Sequence, residues 1–443
     1  MPNLIRRFFR LPLLQRLAIT LWIVLLLGVT GRVFFAPLRS HTVVPIYLTA
    51  AQRWQQGEEL YSEIPQLDIY RNPPGMAASF VPLTWLPERL SGFLWRALSA
   101  TLLLVGLNRF SRHAVPRPLT VNETGVLFSL VAIMAIPSLS NGQTNILMIG
   151  ALLLGAAEAA RLAGTITSDR AESDPHASPS AAQAGFWLAL ASAIKVYPAA
   201  VGLLIGLALP RKIYPWFIGA IAGFFLVPFI LNNPSYVANQ YRAFAIHVTA
   251  DDRTWFPLTS APQDLFLALR VWLSPPLVEV YLLAKLIVAV AMAVLVILSM
   301  RIIRSPREVV ALAFHLGCLW ITVLGPATEL PTYVLLAPTA ALVAIFSAQS
   351  PTLAGRVRFG LALAGTGLLS LPVLRDALPN GKAFHAYALP PIGGTLIFLA
   401  LIWSTTARIW YTPRRDCQDR PFPDQDESAT LTRRVTCQSD RAA

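Results

Sequence analysis

Charge is scarce in this chain of 443 residues. Lys, Arg, Asp and Glu make up 13% of it, against about 25% in a soluble globular domain. A mean hydropathy of +0.55 agrees that most of its surface meets lipid rather than water. Cysteine is scarcer still, with three residues. Cys318 lies in an apolar run and Cys417 and Cys437 in a polar tail. No C-x-x-C pair and no disulfide framework exists, so neither a structural metal nor a stapled ectodomain is implied. Also missing are a P-loop, an H-E-x-x-H pair and a G-x-S-x-G elbow. Their absence speaks against an ATP-fuelled transporter and against an enzyme using a nucleotide donor on the cytoplasmic side. No internal repeat stands out, which removes the usual sign of a transporter's paired halves. No cofactor is indicated.

What the chain does have is repeated apolar runs of about 18–26 residues, and about 20 helical residues cross a bilayer core. They lie near 17–33, 90–107, 124–136, 145–162, 216–231, 277–303, 309–324, 333–347, 359–374 and 391–410. The first is too long for a signal-peptide core and has no small-residue cleavage site, so it reads as a retained span. The formal charge of +13 does not form one patch, which argues against nucleic acid as a partner. Its clusters recur at one set of span ends: Arg6, Arg7, Arg10 and Arg16; Arg109, Arg112 and Arg117; Arg211 and Lys212; Arg301, Arg304 and Arg307; Arg356 and Arg358. The positive-inside rule then puts both termini in the cytoplasm of a plasma-membrane protein.

One domain over 1–410 is expected, with a long first outer loop at 37–87 and a second at 232–276. A polar cytoplasmic loop is expected at 163–183, and the mixed-charge tail 411–443 reads as disordered. In the first outer loop, "PIYLTAAQRWQQGEELY" predicts a short amphipathic helix at the membrane interface, stopped by Gly57.

The stretch 184–209 is apolar for its whole length but carries "SAIKVYPAAVG" in its middle. Arg170 precedes it and Arg211 and Lys212 follow, so both flanks belong on the cytoplasmic side. A straight span cannot satisfy that. A hairpin broken at Pro198 can, and it carries Lys195 to a tip near the outer face. With its two arms the sequence predicts an all-α polytopic membrane protein of about 12 spans, within about 10–13.

Polar groups at membrane depth are costly and so are candidate functional groups. "SNGQTN" (Ser140 to Asn145) is a polar turn. Thr144 or Asn145 as an N-cap explains part of it, but capping leaves Gln143 without a purpose. Lys195, with Tyr197, either snorkels or presents its ammonium to an anion such as a phosphate. "GPATELPTY" sets Glu329 between two prolines, as an ordinary turn or as a ligand. Arg96, Glu158, Lys285 and His315 are single polar groups on apolar helices, for which pairing with a neighbour suffices. Of the loop acids, Glu58 and Glu59, in a helix-end sequence, read as solvated. Asp68 precedes Tyr70, Arg71 and two prolines that lead straight into the bundle.

These pieces resemble glycosyltransferase family 87, also known as domain of unknown function 2029. The resemblance rests on Gly57 to Tyr61 (G-x-x-L-Y), Tyr70 to Pro74 (Y-x-x-P-P), Gly142 to Asn145 (G-Q-x-N) and Lys195 to Pro198 (K-x-Y-P). It covers roughly residues 1–230 by motif and the rest by hydropathy. It implies a glycosyltransferase-C-like fold and a hexose, mannose-like, moved from a polyprenyl-phosphate sugar to a glycan or lipid acceptor on the outer face. In the family a loop carboxylate is the general base and the sugar carbon inverts. Lys195, Tyr197, Gln143, Asn145, Tyr70, Arg71 and Glu329 are then the candidate substrate-binding residues, and membrane lipids the surroundings. Where the family places its aspartate, seven residues before the paired alanines, this sequence has Val43. Another acid must serve: Asp68 first, then Glu63 or Glu58. The alternative is a non-catalytic binder or carrier of lipid-linked sugars on the same scaffold. An ion-coupled transporter is a third reading, but it calls for several mid-span acids.

Overall fold

The computed structural model describes residues 8–9, 11–37, 42–166, 177–250, 252–303, 305–325, 328–371 and 385–411. The tail 412–443 and the centre of the polar loop, 167–176, lie outside the described residues. So do Arg6, Arg7, Arg10, Arg170, Arg304, Cys417 and Cys437.

The described residues are helical and contain no strand. Helix α1 (Leu13–Phe35) is followed by α2 (Val44–Gln56), α3 (Pro74–Phe80) and a 3-10 turn. Then come α4 (Glu88–His113), α5 (Val121–Asn141), α6 (Asn145–Ile166) and α7 (Ala177–Ile194). The second half holds α8 (Ala199–Ala208), α9 (Pro210–Leu231), α10 (Pro234–Ala250) and α11 (Leu265–Trp272). It continues with α12 (Val278–Ile302), α13 (Pro306–Val323), a 3-10 segment (Leu330–Leu336), α14 (Ala337–Ala348), α15 (Leu353–Ser370) and α16 (Leu389–Tyr411). Every expected apolar run is helical over its described part, and among the described residues eight stretches are both long and apolar enough to cross a membrane. The remaining runs are the hairpin arms, α15 and α16, so the structure does not fix the span number at 12. The chain is an integral membrane protein.

Local chemistry sets the helix ends. Thr120 and Glu123 form a reciprocal capping box at the start of α5: Glu123 N donates to Thr120 Oγ1 and Thr120 N to Glu123 Oε2. This satisfies two backbone donors that the first turn would otherwise orphan. Gly57 ends α2 with φ +72°, and its N–H bonds back to the last turn. The amphipathic α2 is not simply laid on an interface. Val44 to Leu48, Ala50, Ala51 and Trp54 are buried against the protein, and Gln52, Gln55 and Gln56 are exposed.

Without a water-driven force between helices in lipid, close packing of small residues holds them together. The core helix α6 is almost wholly buried, and it crosses α4 where Gly150 meets Gly106. A Cβ on Gly150 would lie 2.7 Å from the Leu102 carbonyl carbon. The expected hairpin is present. Helix α7 ends at Ile194, and α8 starts after Pro198. Gly202 of α8 and Gly185 of α7 both face Phe217 of α9, so α8 returns between two neighbours. Glu158, buried on α6, accepts from Arg109 at 2.5 Å and Arg161 at 2.6 Å, which is the neighbour pairing its sequence context allowed.

Candidate active site

One end of the bundle is organised by the turn between α5 and α6. Gly142 sits at φ +72° with a Cβ position only 2.7 Å from Val44 Cγ2 and 2.9 Å from the Arg96 guanidinium. Glycine alone meets both demands. Arg96 explains itself here. Its guanidinium donates to the carbonyls of Leu139, Ser140 and Gly92 and to Thr42 Oγ1, at 2.9–3.0 Å. A buried guanidinium thereby caps the last carbonyls of α5, which no helix-internal donor can reach. Trp95 Nε1 donates to Gly142 O at 2.8 Å, and Val43 N and Thr42 Oγ1 donate to Asn141 O at 3.0 Å. The turn is clamped from two sides.

Clamped this way, the turn aims Gln143 and Asn145 at two other segments. Lys195 Nζ donates to Asn145 Oδ1 at 3.1 Å. Asn145 Nδ2 donates to Gln143 Oε1 at 2.6 Å and reaches Thr332 Oγ1 at 3.4 Å. Gln143 Nε2 donates to Glu329 Oε2 at 2.8 Å, and Arg253 lies 3.5 Å from Glu329 Oε1. The amide orientations follow from the ends. An ammonium can only donate and a carboxylate only accept, so each amide must turn its oxygen toward Lys195 and its nitrogen toward Glu329. Asn145 is therefore more than a helix cap, because its side chain serves the lysine.

A cavity of about 540 Å³ opens beside this relay. Asp68, Arg71, Gln143, Lys195, Tyr197 and Glu329 all line it, and Asn145 lies directly behind. The lysine uses one of its three N–H groups on Asn145, and its ammonium lies 5.7 Å from the Tyr197 ring centre. The Tyr197 hydroxyl is buried with no hydrogen-bond partner. Asp68 Oδ2 is 2.5 Å from Arg71 NH1, and its Oδ1 accepts from Ile69 N. Burial of Asp68 pushes its pKa up, but the hydrogen bond and charge of Arg71 outweigh that and leave it below the usual carboxylate value. Val43, where the family aspartate would stand, also lines the cavity.

Besides Asn145, three of the sequence-predicted residues do not line the cavity. Tyr70 is 1% exposed and donates its hydroxyl to Pro73 O at 3.0 Å, bracing its own loop. Glu58 and Glu63 are exposed on the far side of that loop, and their backbone carbonyls accept from Tyr236 and Arg53. Other lining residues were not singled out in the sequence: Tyr47, Asn72, His247, Arg253 and Thr332. Asn72 Nδ2 donates to Ile194 O at 2.9 Å, tying the Asp68 loop to the last turn of α7. Tyr47, Asn72 and Thr332 lie inside stretches the sequence had already marked, whereas His247 and Arg253 come from the second outer loop.

The family 87 glycosyltransferase profile matches residues 70–326, more than half of the chain. The chain belongs to glycosyltransferase family 87. It is thus a membrane glycosyltransferase. The matched region begins after Asp68 and extends well past residue 230, so it leaves out the α2 motif and takes in the second outer loop. No curated protein matches the sequence. Two crystal structures of ArnT from Cupriavidus metallidurans are similar at 14% identity and a TM-score of 0.40. The apo form aligns over 88% of this chain and 78% of that one, and the form bound to undecaprenyl phosphate over 87% and 77%.

Proposed function

We propose that this family 87 member transfers a hexose, mannose-like, from a polyprenyl-phosphate sugar to an acceptor hydroxyl on the outer face of the plasma membrane. The observation that carries this reading is the Lys195–Asn145 contact at the edge of a cavity that also holds Asp68 and Arg71. A donor phosphate gains from Lys195 and Arg71, with Tyr197 as a further donor, as negative charge builds on the leaving oxygen. The apolar wall of Ile46, Val196, Phe244 and Val248 suits the adjoining part of a lipid.

Asp68 is the base in this scheme, since it is the carboxylate of the first loop that faces the cavity. The acceptor oxygen attacks the anomeric carbon from the side opposite the phosphate. A new C–O bond forms as the anomeric C–O bond to phosphate breaks, the electron pair leaves on polyprenyl phosphate, and the acceptor proton passes to Asp68. The sugar carbon inverts. Glu329 holds Gln143 and Arg253 in place and contacts sugar hydroxyls. Val43 does no chemistry here and keeps one wall apolar.

The test is transfer from polyprenyl-phosphate mannose or glucose in proteoliposomes of the full chain. Lys195→Ala and Asp68→Asn are expected to lose transfer while remaining folded. Full activity in both would overturn the assignment. Well-folded protein that binds the lipid but transfers from neither donor would move the binder reading to first place.

A further inference from the structure

A second, smaller cavity of about 190 Å³ lies behind Arg253, whose side chain walls both spaces. It is built from the second outer loop and the first turns of α12. At about 30 Å³ per water, it has room for about six waters or one hexose ring. Its charged groups are already sorted. Arg253 faces Glu329, Asp252 Oδ1 accepts from Thr254 N at 2.9 Å, and Arg270 donates to the carbonyls of Thr254 and Phe256 while stacking 5.2 Å from the Trp255 ring. That leaves Asp264, Lys285 and Tyr281, and no ion pair joins Asp264 to Lys285. Tyr281 is 7% exposed, and its hydroxyl is buried with no hydrogen-bond partner. Such an orphan needs an explanation, because a buried unmade hydrogen bond costs about 1–3 kcal/mol. Tyr281 packs 5.2 Å from Phe266, which in turn packs edge-on at 5.6 Å to Trp255.

We propose that this cavity is a subsite for one neutral hexose ring of a glycan acceptor, next to the ring that receives the transferred sugar. The inference rests on the glycosyl-transfer reading above. The lining offers one acceptor (Asp264), one cationic donor (Lys285) and one group that does both (Tyr281). Opposite charges cancel, so an anion gains little. Although Asp264 already accepts from the Leu267 amide, an apolar guest would leave the Lys285 ammonium and the Tyr281 hydroxyl without a hydrogen-bond partner. A polyol matches them, and the aromatic wall suits a sugar's C–H face.

Two experiments on the full chain test it. In transfer assays, Tyr281→Phe and Lys285→Met are each expected to raise the acceptor KM about tenfold, the effect of losing one buried hydrogen bond of about 1.4 kcal/mol. The donor KM should stay put. An unmoved acceptor KM in both variants, or a rise in donor KM instead, overturns the proposal. Independently, saturation-transfer NMR with methyl α-mannoside and methyl β-glucoside should show saturable binding that Tyr281→Phe weakens and Lys195→Ala does not. No saturable binding, or equal loss in Lys195→Ala, overturns the subsite. If no transfer is found from any donor, the proposed reaction fails and the NMR result alone decides the subsite.

Discussion

Lys195 and Glu329 share one cavity without touching: Asn145 and Gln143 stand between them in a chain of three hydrogen bonds of 3.1, 2.6 and 2.8 Å. A direct ion pair would quench the lysine. Two amides instead orient it and leave two of its N–H groups for an incoming anion.

Lys195→Ala should therefore act on the donor. Hydrogen bonds to charged groups contribute about 1.5–3 kcal/mol, so kcat/KM for the polyprenyl-phosphate sugar should fall about 10- to 150-fold. Lys195→Arg keeps the charge but not the fit to Asn145, and should recover only part. Steady-state kinetics against donor concentration decide it. An unchanged kcat/KM in Lys195→Ala would show the contact to be structural.

Asp68→Asn removes the proposed base, and general-base catalysis is worth about 100- to 10,000-fold. A loss of at least about 100-fold is expected. Because Val43 lines the same cavity, Val43→Asp added to Asp68→Asn should restore part of the rate. A single Asp68→Asn variant at full rate would move the base elsewhere, with Glu329 next.

Arg96 makes four hydrogen bonds that methionine cannot make. Arg96→Met strands buried carbonyls, and at about 1–3 kcal/mol each the loss of stability should reach about 3 kcal/mol or more. Arg96→Lys should help little, since an ammonium cannot span acceptors on both helices. Thermal unfolding in detergent measures this, and an unshifted melting temperature in Arg96→Met would disprove the clamp.

Burial raises the Asp264 pKa from 3.8 to about 6, against the opposing hydrogen bond from the Leu267 amide and the charge of Lys285. An acid with a raised folded-state pKa holds its proton more tightly when folded. That advantage is complete below pH 3.8 and is lost as pH rises through about 6. At about 1.4 kcal/mol per pKa unit, stability attributable to this group should fall by roughly 3 kcal/mol across that window. Asp264→Asn, which keeps a capping oxygen for α11, should flatten the slope. An equal slope in both proteins would count against a buried, protonatable Asp264.

Much of the fold was legible in the chain because its causes are local. Apolar runs of bilayer length gave helices, Gly57 gave a stop through its positive φ, and the K-x-Y-P break gave a hairpin because proline cannot continue the α7 ladder. The same local signals found Gln143, Lys195 and Glu329 as polar groups at depth. Their joining was not legible. Gln143 and Glu329 are 186 residues apart, and no spacing rule says which loop an amide will meet across a bundle. Tyr70 shows the converse. Its motif looked like site chemistry, but its hydroxyl is turned onto the backbone three residues on.

By itself, then, the sequence determined the class of solvent, the helices and the break between α7 and α8, since these depend on hydropathy and on backbone chemistry within a few residues. Only the tertiary structure decided which loop acids reach the cavity. Asp68 and Glu329 do, while Glu58 and Glu63 do not. That choice depends on how the first loop is tied to α7 by Asn72 and to α10 by Gln240, contacts between residues distant in sequence that form only when the bundle closes.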